Sequence, residues 1–380
     1  MRIIRTTLQV LTGLLIGSLL FTACCNDTEY TDKFFVRPTA YSEGKIDTPC
    51  FAMATMGIYS SKDVTKTVYG DSLHLAVSTD GLSWTALNKN EAVFIPSLGT
   101  RHVREPSIFR MNDGTFVFLA ADYTKDGQYS DIGNLYDTTY GDKPSGAVYV
   151  AFSDDLINWR GEHLLTLTTK TGKDGKTRHV WSPHAVYNRS SLCYDIYWTG
   201  DDENGVNQVY VSSTIDFWSL KNKDEAKIFA PGYSITGSYI VKSADSYYVV
   251  FRDDDIDFAS GTGHDIQIAK MNSTWRNGVF KLLTSRYQYI TRNDSSVITY
   301  SSLPCIYQLN DGQTWILLAS NQVNTGSYKI MSTTDINDPS SWQDYSANVS
   351  LYANNANYKT QGASVIKITQ EEYETLVAGL

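Results

Sequence analysis

The sequence predicts an all-β protein, a five-bladed β-propeller of four-stranded antiparallel blades that the C-terminal strand closes into a ring. Three observations support this prediction: pairs of apolar strands recur along the chain, a short element containing Asp and Trp follows them, and no convincing amphipathic helix precedes residue 370. The composition agrees, because 380 residues with 13% aromatic side chains can build one large β domain.

Four segments have the pattern of a hairpin of two apolar strands. They cover residues 107–121, 183–200, 237–254 and 304–320. Two of them contain clear turn sequences, Asn112-Asp113-Gly114 and Asn310-Asp311-Gly312. Each hairpin begins with small or proline residues and a polar tip. If these strands converge on one axis, their tips line one pocket.

The recurring element is an apolar strand followed by Ser or Thr, then Asp, and a Trp a few residues later. It is clearest at residues 73–84 and 148–159, and weaker copies cover 209–218, 266–275 and 328–342. The copies lie about 60–75 residues apart, beyond the ~40–50 of common propeller repeats. We interpret the Asp as holding its own turn and the Trp as packing between blades.

A blade is then built from two hairpin strands, the strand of the repeat and a fourth strand after it. Fourth strands are expected at residues 92–94, 163–166, 226–229 and 279–282. The last strand, residues 362–369, has no blade of its own and is expected to pair with residues 51–59. This pairing would close the ring and remove its exposed edges.

The N-terminal residues predict an export signal. Arg2 and Arg5 precede an apolar run at residues 8–20 that is short for a membrane span. The following Thr22-Ala23-Cys24 resembles a bacterial lipobox, which implies cleavage before Cys24 and lipid on its thiol. The alternative is an ordinary signal peptide that happens to contain Cys24 and Cys25. We expect a lipoprotein signal peptide at residues 1–23, a polar tether at 24–45 and the propeller at 46–380.

The lipobox resemblance implies the cell envelope of a Gram-negative bacterium, with the protein anchored to the outer membrane and facing the periplasm or the surface. The formal charge of −9 disfavours nucleic acid as a partner. No C-x-x-C spacing indicates a zinc site. Cys193 and Cys305 lie in apolar strands and are expected to be buried thiols.

Several motifs, taken in order, resemble glycoside hydrolase family 43 over residues 50–376. They include Arg104-Glu105-Pro106-Ser107-Ile108, Trp181-Ser182-Pro183-His184 and the closing Gln361-Gly362-Ala363-Ser364-Val365. The resemblance implies action on arabinose- or xylose-containing plant polysaccharides with inversion. Such hydrolysis uses two carboxyl groups about 6.5–9.5 Å apart, one activating water and the other protonating the leaving oxygen. The family adds a third carboxylate that orients the acid.

The carboxylates of that family are largely replaced here. Glu105 stands at the position of the base, an Asp in Arg-Asp-Pro, and a ~1 Å misplacement of such a group can cost on the order of 100-fold. Thr236 stands at the position of the second Asp, and Ser302 at that of the acid in Glu-Gly-Pro. A serine hydroxyl cannot serve as an acid near neutral pH. Gln361 replaces the His of a closing His-Gly-Thr, which puts in doubt the axial calcium or sodium ion of some relatives. No cofactor is expected.

These substitutions favour a non-hydrolytic carbohydrate-binding lipoprotein that engages an arabinose- or xylose-containing glycan in its axial pocket. Aromatic platforms and planar polar groups suffice for such binding. The candidate lining residues are Tyr123, Trp181, His184, Tyr233, Tyr239, Arg252, Asp253, Tyr300 and Gln361. For each aromatic residue, packing between blades is the competing interpretation. For Arg252 and Asp253 it is a local ion pair at a strand end.

Two alternatives remain open. The first is an active arabinofuranosidase- or xylosidase-type hydrolase with Glu105 as base and His184, Asp253 or Asp294 as a non-standard acid. In that case the competing interpretation of Glu105 is a carboxylate paired with a nearby arginine. The second is a protein-interaction scaffold, in which the polar loop at residues 125–145 could carry a contact.

Overall fold

The computed structural model describes residues 47–59, 72–99, 103–122, 144–222, 225–244, 246–255, 263–271, 280–285, 288–291, 299–321, 326–353 and 358–380. All of them belong to the compact unit Glu43–Leu380. Within these residues the structure consists of five four-stranded antiparallel sheets, a few short 3-10 turns and one α-helix. The predicted all-β, five-bladed propeller is confirmed.

The blades follow one another along the chain. Blade 1 contains β1 (Cys50–Tyr59), β2 (Ser72–Ser78) and β3 (Thr85–Ala86), and blade 2 contains β4 (Val103–Arg110), β5 (Phe116–Asp122), β6 (Ala147–Ser153) and β7 (Trp159–Thr166). Blade 3 contains β8 (Trp181–Asn188), β9 (Cys193–Asp201), β10 (Asn207–Thr214) and β11 (Ala226–Phe229). Blade 4 contains β12 (Ile235–Ser243), β13 (Ser246–Asp253), β14 (Ile266–Met271) and β15 (Lys281–Leu282). Blade 5 contains β16 (Ser301–Gln308), β17 (Trp315–Asn321), β18 (Tyr328–Thr333) and β19 (Gln343–Asp344). The 3-10 turns are Asn88–Asn90, Lys173–Gly175, Pro339–Ser341 and Ser346–Asn348.

The C-terminal strand completes blade 1. β20 (Tyr358–Ile368) pairs antiparallel with β1 along its whole length, from Cys50 opposite Ile368 to Tyr59 opposite Tyr358. The first strand of blades 2 to 5 and β20 contact each other in turn around the axis, so β20 is the innermost strand of blade 1. The predicted closure is confirmed, and it gives β1 a partner on both sides.

The predicted outer strands are correct in part. Residues 226–229 form β11, and residues 163–166 form the end of β7. The prediction at residues 92–94 is wrong: the outer strand of blade 1 is the short β3, and Phe94 makes only an isolated bridge to Leu73. Of residues 279–282, the pair Lys281–Leu282 forms β15, while Val279 lies outside the described residues.

The structural interpretation of the repeat is confirmed in its best copies. The Oδ1 atom of Asp80 accepts hydrogen bonds from the backbone N–H groups of Leu82 and Ser83, both at 2.7 Å. Asp155 holds the equivalent turn of blade 2 in the same way. Trp84 is buried edge-on against Tyr307 of blade 5, with ring centroids 6.1 Å apart. The Asp therefore fixes the turn and the Trp packs between blades.

Trp218 departs from the repeat. In blade 3 Leu220 bridges Thr214, as Trp159 pairs with Ser153 in blade 2, so Leu220 occupies the position of the repeat Trp. Trp218 lies two residues earlier, is 38% exposed, and stacks on His163 of blade 2 at 4.1 Å. Trp218 therefore packs between blades, as predicted, but not at the position of the repeat Trp. The end of the copy at residues 266–275 lies outside the described residues.

The chain ends in α1 (Gln370–Gly379), where a helix was expected. A reciprocal capping box of Thr369 and Glu372 starts it, and Leu376 is its fully buried residue. Glu372 also receives two hydrogen bonds of 2.6 Å from Arg110, which fixes α1 to blade 2. No helix in the described part of the chain is long and apolar enough to cross a membrane. Cys193 and Cys305 are fully buried free thiols, as predicted.

Candidate functional site

The five innermost strands share one backbone feature at their tips. Each has a register shift against its neighbour, and each places one residue of the shifted segment in the left-handed region. These residues are Glu105 (φ 54°), Ser182 (φ 49°), Gly237 (φ 65°), Leu303 (φ 46°) and Gly362 (φ 64°). Such bulges bend a strand and redirect its side chains, often beside functional sites. Because this bulge recurs at all five tips, the tips share one backbone geometry around the axis.

The tips enclose a small cavity on the axis. It is lined by Glu105, Pro106, Ser107, Ser182, Pro183, His184, Gly237, Ser238, Tyr239, Leu303, Pro304, Gly362 and Ala363, and its volume is about 30 Å³. The tips approach closely, since a Cβ atom added to Gly237 would lie 3.0 Å from the backbone nitrogen of Leu303. A cavity of this size holds a few water molecules at most. A sugar ring would therefore contact the mouth formed by the tips.

Glu105 connects the tips of blades 2 and 3. Its Oε2 atom accepts hydrogen bonds from the backbone N–H and the hydroxyl of Ser182, the latter at 2.7 Å. Burial raises the pKa of Glu105, although these hydrogen bonds and the charges of Arg104 and Arg252 act in the opposite direction. The structure thus gives this carboxyl group a defined orientation at the cavity, held mainly by Ser182.

His184 lies below the mouth as a packed, neutral side chain. Its Nδ1 atom is 2.9 Å from the hydroxyl of Ser107, and its ring lies 4.1 Å from that of Tyr239. Burial lowers the pKa of His184 to about 4, against a hydrogen bond with the backbone of Ile240 that acts to raise it. A ring that stays neutral at pH 7 lacks the imidazolium proton that a histidine donates as a general acid.

Trp181, the first residue of β8, is held at the tip of blade 3 by a supporting pair. Its ring stacks on His179 at 4.4 Å, and the Nδ1 atom of His179 is 2.8 Å from the carboxylate of Asp201. Partial burial acts to raise the pKa of Asp201, but the hydrogen bonds from His179 and the Lys173 backbone lower it below the usual range. Trp181 is half-buried, so an anchored indole is accessible at this tip.

Thr236, Ser302 and Gln361 occupy the same position at three tips. Each immediately precedes the left-handed residue of its strand. The hydroxyl of Ser302 donates to the carbonyl oxygen of Ser320 at 3.3 Å, within its own blade. Leu303, which follows it, approaches the tip of blade 1 near Gly362. An apolar side chain thus occupies the axis beside a hydroxyl group.

Arg252 lies next to these tips but not in the predicted ion pair. It is opposite Thr236 in the β12–β13 pair, and its Nη2 atom bonds Asp254, not the neighbouring Asp253. Asp253 is fully buried and accepts a 2.8 Å hydrogen bond from the hydroxyl of Tyr289. Asp253 therefore supports the fold of blade 4, and the local ion pair at this strand end is between Arg252 and Asp254.

The predicted tyrosines separate into different environments. Tyr239 lines the axial cavity. Tyr233 packs in the core between blades 3 and 4, where its hydroxyl bonds Gln267. Tyr300 is half-buried and meets the ring of His264 edge-on at 5.7 Å. The predicted residues Tyr123, Asp294 and Cys24 and the loop at 125–145 lie outside or almost entirely outside the described residues.

Sequence reasoning missed Ser107, Ser182, Asp254 and His264 as neighbours of the site. Ser182 and Ser107 were visible inside the tip motifs, but their partners lie 77 residues away in sequence. At three tips the left-handed residue is followed by proline. This pattern was the signal in the sequence for the backbone conformation that the tips share.

The cavity does not fit the axial ion of some relatives. Its lining offers one carboxylate, and its hydroxyls already bind protein groups: Ser182 to Glu105, Ser107 to His184 and Ser238 to Thr199 at 2.7 Å. Calcium takes six to eight oxygen ligands. Among the described residues, no group of three or more His, Cys, Asp or Glu side chains could hold a metal.

Residues 56–374 match a sequence family described as a probable glycosyl hydrolase domain, related to glycoside hydrolase family 43. The chain belongs to this family, which is carbohydrate-active, and the resemblance inferred from the tip motifs is confirmed. A comparison with curated proteins gave no match.

Solved structures with the same fold include an α-L-arabinofuranosidase from Clostridium thermocellum. It is 14% identical, with 84% of this chain and 91% of that chain covered and a TM-score of 0.50. An endo-1,4-β-xylanase from Bacteroides thetaiotaomicron is 13% identical, with 84% and 92% covered and a TM-score of 0.49. An exo-β-1,3-galactanase from Phanerochaete chrysosporium, solved with galactose, is 17% identical, with 63% and 49% covered and a TM-score of 0.43. The match thus spans about half of the galactanase chain.

Proposed function

We propose that this protein is a carbohydrate-binding lipoprotein whose axial mouth engages a plant-type glycan without ordinary hydrolysis. One observation carries the proposal: among the described residues that line the axial cavity, Glu105 is the sole carboxyl group. Inverting hydrolysis needs two, about 6.5–9.5 Å apart. The two tips at which the family resemblance expects further carboxylates carry the hydroxyl groups of Thr236 and Ser302.

The environment of the alternative acids supports the same conclusion. His184 is buried, neutral at pH 7 and bonded to Ser107. Asp253 is buried and engaged by Tyr289. His184 does not hold an imidazolium proton near neutral pH, and the fully buried Asp253 has no access to a glycosidic oxygen at the mouth.

An active hydrolase is the second candidate, and Glu105 is the observation that favours it. Its carboxylate is oriented by Ser182 at the cavity, and burial raises its pKa. This interpretation requires an acid other than His184 and Asp253, such as Asp294, which lies outside the described residues.

Arabinose- or xylose-containing glycans are the proposed ligands. The family relationship supports a carbohydrate, and the arabinofuranosidase of the same fold suggests testing arabinose-containing glycans first. Lipid on Cys24 and attachment to the outer membrane of a Gram-negative bacterium, periplasmic or surface-exposed, are part of the same proposal. They rest on the sequence at residues 1–24.

The test is a glycan panel measured in two ways on the full chain in a non-glycosidic detergent. Arabinan, xylan, arabinoxylan and their oligosaccharides are titrated by calorimetry and incubated overnight with concentrated protein to detect reducing sugar. We expect binding without release. Release that disappears in Glu105→Gln would overturn the proposal in favour of the hydrolase. The absence of both binding and release would favour the protein-interaction scaffold.

Trp181 supplies a second prediction. Trp181→Ala is expected to weaken glycan binding by about 1–3 kcal/mol, because the anchored indole loses its apolar contact with a sugar face. Trp218→Ala is the matched control, since Trp218 is also stacked on a histidine but lies on the outer rim. Equal affinities of the parent and Trp181→Ala in calorimetric titrations would remove Trp181 from the site.

A further inference from the structure

Arg252 is a buried cation whose hydrogen-bonding capacity is largely unused. Its side chain is 11% exposed, and its Nη2 atom bonds Asp254. Its Nε and Nη1 atoms are buried and have no hydrogen-bond partner among the described residues. A guanidinium group has five N–H donors, and these two atoms carry three of them. Buried donors are almost always paired, so this exception indicates a missing partner.

His264 adds a second unpaired atom at the same place. Its Nε2 atom lies 4.0 Å from Oδ1 of Asp254, the oxygen that Arg252 also contacts. Its Nδ1 atom is buried without a partner in the described part of the chain. Burial and the charge of Arg252 lower the pKa of His264, against the attraction of Asp254. With a proton on Nε2, Nδ1 offers a lone pair to a hydroxyl donor.

Asp254 is the carboxylate that forms an ion pair with the guanidinium among the described residues. Asp254 is shared between Arg252 and His264, and Glu105 is held by Ser182. Thr236, directly opposite Arg252 in the sheet, brings a hydroxyl group. The position is nevertheless close enough to the mouth for the charge of Arg252 to act on Glu105.

We propose that the site takes an acidic saccharide, a uronic acid unit whose carboxylate binds the free Nε and Nη1 donors of Arg252 while a ring hydroxyl donates to Nδ1 of His264. Arginine matches a planar carboxylate in charge and geometry better than any other side chain. The half-buried ring of Tyr300, edge-on to His264, borders the same cluster. This inference rests on the proposed function and specifies its ligand class.

The experiment compares matched acidic and neutral ligands on the full chain in a non-glycosidic detergent. Glucuronic acid-substituted xylo-oligosaccharides and oligogalacturonates are titrated beside the same compounds after reduction of the carboxyl to an alcohol. We expect at least one acidic member to bind about tenfold or more tightly than its reduced counterpart. Arg252→Gln should remove this preference, and Arg252→Lys should retain part of it, because the charge remains while the planar group is lost.

Arg160→Gln is the charge-matched control, since Arg160 is an exposed arginine on β7 paired with Asp154. It should leave the preference unchanged. Equal binding of acidic and reduced ligands by the parent overturns the uronic acid inference and leaves the proposed function standing. Binding of no glycan overturns both. If Arg252→Gln does not fold, comparing acidic and reduced ligands on the parent and on Arg252→Lys still tests the uronic acid inference.

Discussion

A chain that ends at residue 357 is expected to lose its cooperative unfolding transition. This truncation removes β20 and α1, and with them the innermost strand of blade 1. β1 would lose one of its two antiparallel partners, and the buried Val365 and Ile368 would leave the core. An open radial sheet exposes an unpaired edge and apolar side chains, so the product should aggregate or behave as a partly ordered chain. Urea unfolding followed by near-UV circular dichroism measures the result.

Two further experiments test this prediction. A chain ending at residue 369 keeps β20 and loses α1, including the buried Leu376 and the Arg110–Glu372 pair. It should remain cooperative and lose a few kcal/mol, in the range of a large core truncation. A synthetic peptide of residues 358–380, added to the chain ending at 357, should restore the transition. A full-length midpoint in the short chain alone would show that ring closure does not stabilise the fold.

The fold was predictable because its signals are local and repeated. Alternating strands, the turns at Gly114 and Gly312, and the Asp of each repeat act over a few residues and recur around the ring. The departures from the repeat have the same origin. Trp218 resembled the repeat in composition, but its place is decided by the pairing of Thr214 with Leu220, two residues further on.

The site was predictable only in outline. The tip motifs located Glu105 and His184, yet their partners Ser182 and Ser107 come from neighbouring blades and could not be inferred from spacing. Tyr233 was predicted to line the pocket but lies in the core. An aromatic residue near the start of a strand is compatible with either environment. The environment of such a residue is decided by the packing of one blade on the next, which involves residues far apart in the sequence.

The second large effect concerns pH. His74 and His184 are buried, and burial lowers the pKa of each to about 4, against hydrogen bonds that act to raise it. An unfolded histidine has a pKa of about 6.5. Between these values the unfolded chain binds more protons than the folded one, so stability is complete above about pH 6.5 and falls as the pH decreases toward 4. A shift of this size corresponds to roughly 3 kcal/mol for each histidine.

In urea unfolding from pH 7 to pH 4.3 the two histidines should therefore contribute a loss of several kcal/mol. Glu105 acts in the opposite direction, because its raised pKa favours the folded state as it protonates. His184→Gln should remove about half of the histidine contribution to this slope. Ser107→Ala is the control, because it deletes the contact of 2.9 Å with His184 and leaves the titrating ring in place. The quantity compared is the change in the free energy of unfolding with pH, so a lower absolute stability of either variant does not affect the result. A slope in His184→Gln equal to that of the parent would show that this ring titrates alike in the folded and unfolded chains, and would return it to consideration as a proton donor at the axis.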